Sequence, residues 1–349
     1  MSKFKGLIFA GLFAVVIFLM SGCSTMNSNG NSGEKLSPKV VIVTAFGDPK
    51  DLKEVSESAL WYNDQKLYET LEIPGGHSPL YYNNQGVGLV ITGMGKSNAA
   101  STIMALGLSK DLDLTNTVFI IAGIAGMNPQ KGSIGSVVFV RRVIDIDTKY
   151  QIHSNRIEEL SKDYPMSLSD EKEKSWIDRV SKFAMNNKLL EHCFELSKNV
   201  KLKDSSDVMK FARKYKEYPK AVEKPQILIG DNVTSDTFWH GKIYSEKVDK
   251  WIKQVTDNDS EYMVTEMEDS ALLSAFVRLD KERKIDFNRI LILRSASNFD
   301  REPTGVTPTI DSFHFSPGYF LATENVYIVA SSIANNILKN WSAFNQQFK

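Results

Sequence analysis

The sequence predicts an α/β fold in three layers, because short β-branched runs recur along the chain and stretches with helical spacing separate several of them. Glycine-bearing segments follow several of the runs, and in parallel α/β sheets ligands sit at the carboxyl ends of strands. Val40–Ala45, Gly88–Thr92, Val118–Ala122, Val137–Val140, Gln226–Ile229 and Ile290–Leu293 read as buried strands. Lys96–Leu108 places Ala99, Ile103 and Leu106 on one helical face, and Asp269–Leu279 does the same with Leu272, Ala275, Phe276 and Leu279. Both are expected to pack on the sheet. A last helix, Tyr319–Leu338, repeats Tyr327, Ala330, Ile333, Ala334 and Ile337 and is expected on the opposite face.

Ahead of the first strand, Lys3 and Lys5 precede an apolar run from Leu7 to Met20 that is short for a bilayer span, so residues 1–22 are expected to be a signal peptide. The run ends in Met20-Ser21-Gly22-Cys23, small residues before a cysteine, the pattern of a lipoprotein signal. Lipidation at Cys23 would tether the chain to a membrane more firmly than a single acyl chain does. An uncleaved N-terminal helix is the plainer alternative. Ser24 rather than Asp after the cysteine points to an outer membrane, with the body facing the periplasm or the cell exterior. Ser, Asn and Gly dominate to Lys39, so residues 23–38 should be a flexible tether with a reach on the order of 20 Å. The folded domain is then 39–349.

Within that domain, residues 145–225 change character. Lys, Glu, Asp and Ser prevail, strands are not expected, and helical patterns occupy Lys172–Met185, Lys188–Leu196 and Asp207–Tyr215. This reads as an inserted helical lid or, as plainly, a solvated decoration.

The chain holds 42 basic and 42 acidic residues and no basic stripe interleaved with aromatics, which argues against nucleic acid and suits a small neutral ligand. Cys193 is the one cysteine besides Cys23, so an exported domain would have no internal disulfide. Metal-ligand spacing is absent, no cofactor is expected, and after residue 20 no stretch reaches the roughly 20 apolar residues of a spanning helix.

Five segments carry chemistry. Thr92-Gly93-Met94-Gly95-Lys96 runs into a helix whose free amides can hold a phosphate or a ribose oxygen, though a tight connection with no ligand has the same look. Ala122-Gly123-Ile124-Ala125-Gly126 follows an apolar strand, and its missing side chains leave room for a flat base or for close packing. In Val264-Thr265-Glu266-Met267-Glu268-Asp269-Ser270, helix capping explains Asp269 and Ser270, while Glu268 is placed to accept two hydrogen bonds from a vicinal diol. Leu293–Arg301 gathers polar residues at a strand exit, where Asn298 can donate to a ring nitrogen. Gly230–His240 adds Phe238, suited to stacking on a heteroaromatic ring or to core packing. His153 and His240 lack sequence partners, and no Gly-x-Ser-x-Gly elbow is present.

Taken in order, these segments resemble the nucleoside phosphorylase type of domain, and over nearly the whole mature chain they are most similar to the purine nucleoside permease family. Lys39–Phe46, Gly93–Ala100, Ile120–Gly126, Gly132–Val138 and Glu266-Met267-Glu268 carry the likeness, and the long charged insertion matches that family's extra length. The resemblance implies a three-layer α/β/α nucleoside phosphorylase-like fold with a mixed central sheet and an inserted helical region. It implies that Phe238 stacks on the base, Met267 packs beneath the sugar, Glu268 holds the ribose hydroxyls and Asn298 faces the purine. Asn where relatives carry Asp or Asn favours a 6-oxopurine, or binding with weaker acid catalysis. Gly123, Thr92, Gly93, Gly95 and Lys96 complete the implied substrate-binding set.

Two departures qualify this. Nucleosidases of the superfamily carry a glutamate after the first strand, whereas Phe46-Gly47-Asp48-Pro49-Lys50-Asp51 has none. Phosphorolysing members present arginines to phosphate, and beside Gly93 and Gly95 stand only Lys96, Thr92 and amides. The expected function is therefore purine nucleoside binding in uptake. Cleavage of the N-glycosidic bond, with inorganic phosphate as co-substrate or with water, is the alternative, and a lipid-anchored structural protein with a dead pocket is a third. The expected partners are a purine nucleoside and a membrane through the anchor, with oligomerisation left open.

Overall fold

The computed structural model describes residues 35–148, 182–308 and 316–348. Cys23, the signal segment, most of the expected tether, His153 and the helix expected from Lys172 as far as residue 181 lie outside the described residues.

The strands are β1 (Val40–Thr44), β2 (Glu69–Leu71), β3 (Leu80–Tyr82), β4 (Val87–Ile91), β5 (Val118–Met127), β6 (Val137–Asp145), β7 (Lys182–Ala184), β8 (Ile227–Thr234), β9 (Tyr262–Glu266) and β10 (Ile290–Phe299). Helices are α1 (Ala59–Asp64), α2 (Lys96–Leu108), α3 (Asn187–Ser197), α4 (Ser206–Ala212), α5 (Lys242–Val255), α6 (Asp269–Lys281), α7 (Tyr319–Lys339) and α8 (Trp341–Gln347). The sheet runs β10-β6-β8-β9-β5-β1-β4-β3-β2, and β10 also pairs with β5, so β10, β6, β8, β9 and β5 close a ring from which the other strands extend. It is mixed: β1 is parallel to β4 and β5, while β9 runs antiparallel to β5 and β6 antiparallel to β10.

Alternation along β1 makes the three layers. Val40 and Ile42 enter the core under α7, with Val329, Ala330, Ile333 and Ile337, whereas Val41 and Val43 enter the core under α2 and α6, with Ile103, Leu106, Leu272 and Phe276. Burying each such Ile, Leu or Phe contributes about 1.5–3 kcal/mol. The fold class and the opposed placement of α7 agree with the sequence.

Several boundaries differ. The segment Gly123–Gly126 is not a turn, because β10 pairs along β5 from Phe119 to Met127 and the ladder carries the strand through both glycines. The polar residues Arg294–Asn298 lie inside β10 rather than beyond its end, since every residue of that strand is buried and its ladder with β5 continues to Phe299. Lys182–Ala184, expected to be helical, is a strand on the edge of β6. The remaining described part of the insertion joins the core: α3 places Leu189, Leu190 and Cys193 against α7, and α4 places Val208 and Ala212 with Phe299 and Leu321. The body also starts earlier than expected, for Leu36 donates its N–H to the Asp111 carbonyl at 3.0 Å and accepts from Asp113.

Candidate functional site

Three strand ends meet because Gly126 of β5 pairs with Thr265 of β9 on one side and Asn298 of β10 on the other. Beyond β9, Met267 leads to Glu268, which caps α6. In β10 the register shifts between Ala296 and Asn298, a bulge that turns Ser297 and Asn298 to the same lining. The segment after β8 adds Phe238 and Trp239. Together these residues surround a cavity of about 200 Å³, to which Met267, Glu57 and Arg294 also contribute. Thus Phe238, Met267, Glu268 and Asn298, chosen from sequence, face one hollow.

Its floor is an ionic cluster. Arg294, 2% exposed, contacts Glu266 at 3.1 Å, Asp269 through two nitrogens and Glu268 at 3.6 Å. Glu57, 3% exposed, accepts the Ala45 and Ile124 amides, each at 2.7 Å, and so ties the end of β1 to β5. One guanidinium among these carboxyls cannot compensate the desolvation of all. Burial accordingly pushes Glu268 up to about 8 and also raises Glu57 and Asp269, with Arg294 pulling in the opposite direction on each.

Glu268 is oriented before any ligand arrives: its Oε1 accepts the Gly95 N–H at 3.0 Å. Asn298 is held from both ends, Ser297 Oγ donating to its Oδ1 at 2.9 Å and its Nδ2 donating to the Phe299 carbonyl at 3.0 Å. An amide nitrogen has two hydrogens, so one N–H remains for a ligand acceptor. Phe238 is 48% exposed and forms part of the rim.

The glycine-turn residues lie elsewhere. Gly123 offers no room for a base, for a Cβ there would stand 2.4 Å from Arg294 Nη1 and 2.7 Å from Glu57 Oε1. Thr92 and Gly123 border a separate void of about 10 Å³ beside Glu57 and Arg294. Gly93 and Gly95 adopt φ of +79° and +84°, which explains glycine at both, and the residue between them, Met94, is the one that lines the cavity. Lys96 points its ammonium at Asp145 and Asp147, 2.7 and 2.6 Å away. His240 does not border the cavity; its Nδ1 lies 3.2 Å from the Phe299 carbonyl.

Sequence reasoning missed Glu57 and Arg294. Glu57 stands just before α1, separated from β1 by a loop, so no local pattern links it to the strand end it meets. Arg294 had a legible signal, a cation in an apolar strand that demands buried partners.

Solved structures share this architecture. A futalosine hydrolase of Helicobacter pylori matches with TM-score 0.50 at 14% identity, covering 86% of this chain and 98% of the other. A 5′-methylthioadenosine/S-adenosylhomocysteine nucleosidase of the same organism matches with TM-score 0.51 at 14% identity, covering 86% and 100%. The likeness is one of fold, and the class it defines is the nucleoside phosphorylase-like α/β protein. Sequence goes further, since the family model described as purine nucleoside permease matches residues 37–349. The chain belongs to the purine nucleoside permease family. A Schizosaccharomyces pombe protein named probable purine nucleoside permease is 30% identical over 96% of this chain and 99% of its own length. The purine nucleoside permease of Candida albicans is 29% identical over 87% of this chain and 76% of its own. Among the described residues no helix is long and apolar enough to cross a membrane.

Proposed function

We propose that the cavity binds a purine nucleoside in the service of nucleoside uptake, with the chain held at a membrane by lipid on Cys23. The observation that carries this reading is the convergence of an aromatic ring, a carboxyl and a carboxamide, Phe238, Glu268 and Asn298, on one hollow. Phe238 would cover the base, Met267 the sugar, and Glu268 would take the ribose diol, its second oxygen being free of backbone. The N–H left on Asn298 suits an acceptor such as N7 or O6, which favours 6-oxopurines. Family membership supports the ligand class, and Met20-Ser21-Gly22-Cys23 supports the anchor. None of residues 182–225 borders the cavity, and the rest of the insertion expected as a lid lies outside the described residues.

Glu268→Ala tests the reading. Loss of a charged hydrogen bond is worth about 1.5–3 kcal/mol, so above about pH 8, where the Glu268 carboxyl ionises, calorimetric affinity for inosine should fall at least about tenfold. Unchanged affinity would remove the diol assignment. A second reading, cleavage of the N-glycosidic bond by water, is favoured by Glu57, a buried carboxyl in the cavity wall where the turn after β1 has none. Release of free hypoxanthine from inosine by the purified chain, abolished in Glu57→Gln, would select it.

A further inference from the structure

The first turn of a helix carries backbone N–H groups that have no helical acceptor, and an external anion is ordinarily held there. At α2 two of these N–H groups are taken by carboxyl oxygens of the chain itself. Gly95 donates to Glu268 Oε1 at 3.0 Å and Lys96 donates its backbone N–H to Asp236 Oδ1 at 2.8 Å. Neither is a local cap, because the first turn of α2 contains no acidic residue and both carboxylates arrive from distant segments. Asp236 is itself fixed, its N–H donating to Asp147 Oδ2 at 2.7 Å, and Asp147 also accepts the Ser235 hydroxyl at 2.9 Å.

Two basic side chains nearby, Lys96 and Arg294, are equally committed. The Lys96 ammonium lies between Asp145 and Asp147, and Arg294 lies on Glu266 and Asp269. A phosphate at the Gly95 and Lys96 amides would have to displace a carboxyl oxygen from each and then sit beside the Asp145 and Asp147 carboxylates, where like charges repel. The corner is contiguous with the cavity through Glu268, whose carboxyl serves both.

We propose that Asp236 is a built-in anion that, with the Glu268 carboxyl as a second acceptor, occupies the Gly95 and Lys96 amides at the α2 N-terminus and makes the site select an uncharged nucleoside, closing it to inorganic phosphate as co-ligand or co-substrate. This rests on the reading of the cavity as a nucleoside site. Asp236 is a specificity determinant and does not border the cavity.

Calorimetric titration of the whole chain with inorganic phosphate, and with inosine in the presence and absence of phosphate, tests it. The unaltered chain should give no phosphate binding and the same inosine affinity in both buffers. Asp236→Gly, which frees the Lys96 amide and removes a charge, should bind phosphate at least about tenfold more tightly than the unaltered chain's detection limit. Asp236→Asn, which keeps an acceptor on the amide, should gain less, and both should bind inosine as before. Phosphate binding by the unaltered chain as tight as by Asp236→Gly would overturn the proposal. So would the absence of any gain in variants with unchanged far-ultraviolet dichroism. Failure of the nucleoside reading is distinguishable, because inosine would then be silent in every form while the phosphate series still gives its answer.

Discussion

At the scale of single residues, the site is governed by one cation and the carboxyls around it. Burial raises Glu57, Asp269 and Glu268, the last to about 8, so the folded chain keeps protons that the unfolded chain has released. Their contribution to stability is therefore fullest below the ordinary carboxylate range and falls as pH rises towards the raised values. Urea melts at about pH 5 and about pH 8 should show the lower midpoint at the higher pH; equal midpoints would mean that the cluster does not hold those protons. Removing the cation in Arg294→Met should cost about 3–5 kcal/mol, because it leaves the buried carboxyls of Glu266, Glu268 and Asp269 without the guanidinium they share. Retention of the full urea midpoint in that variant would count against the cluster as drawn.

Elements decide which of these residues meet. The bulge in β10 lets Ser297 and Asn298 share a lining, and the extension of β5 past Gly123 brings Gly126 between β9 and β10. Helix α7 supplies the layer that keeps this sheet dry on one side, and its Ile333 is fully buried against β1 and β5. Ile333→Ala should therefore destabilise the fold by about 2–5 kcal/mol, whereas Asn335→Ala on the exposed side should stay within about 0.5 kcal/mol. Similar denaturation midpoints for the two would show that α7 is not a core layer. Sequence located α7, α2 and α6 because their apolar periodicity is long. It missed β2 and β3, which at three residues each are too short to show a period, and left α5 unnoticed although Val248, Trp251, Ile252 and Val255 repeat helically.

For the whole molecule, the proposed lipid tether at Cys23 has its own test. Cys23→Ala should abolish incorporation of labelled palmitate and release the chain from the membrane fraction, and persistent labelling would disprove the anchor. How much was legible follows from the range over which each signal acts. Local alternation and helical spacing determined the α/β class, the opposed helix layers and the strand-end segments that hold Phe238, Met267, Glu268 and Asn298. Contacts between distant segments decided the rest: the closed ring of strands, Glu57 in the cavity wall, Arg294 beneath it, and the Lys96 ammonium and the Gly95 and Lys96 amides already held by carboxyl groups. The physical reason is that periodicity is written in neighbours a few residues apart, while a buried charge is settled only by whichever partner folding brings within hydrogen-bond distance.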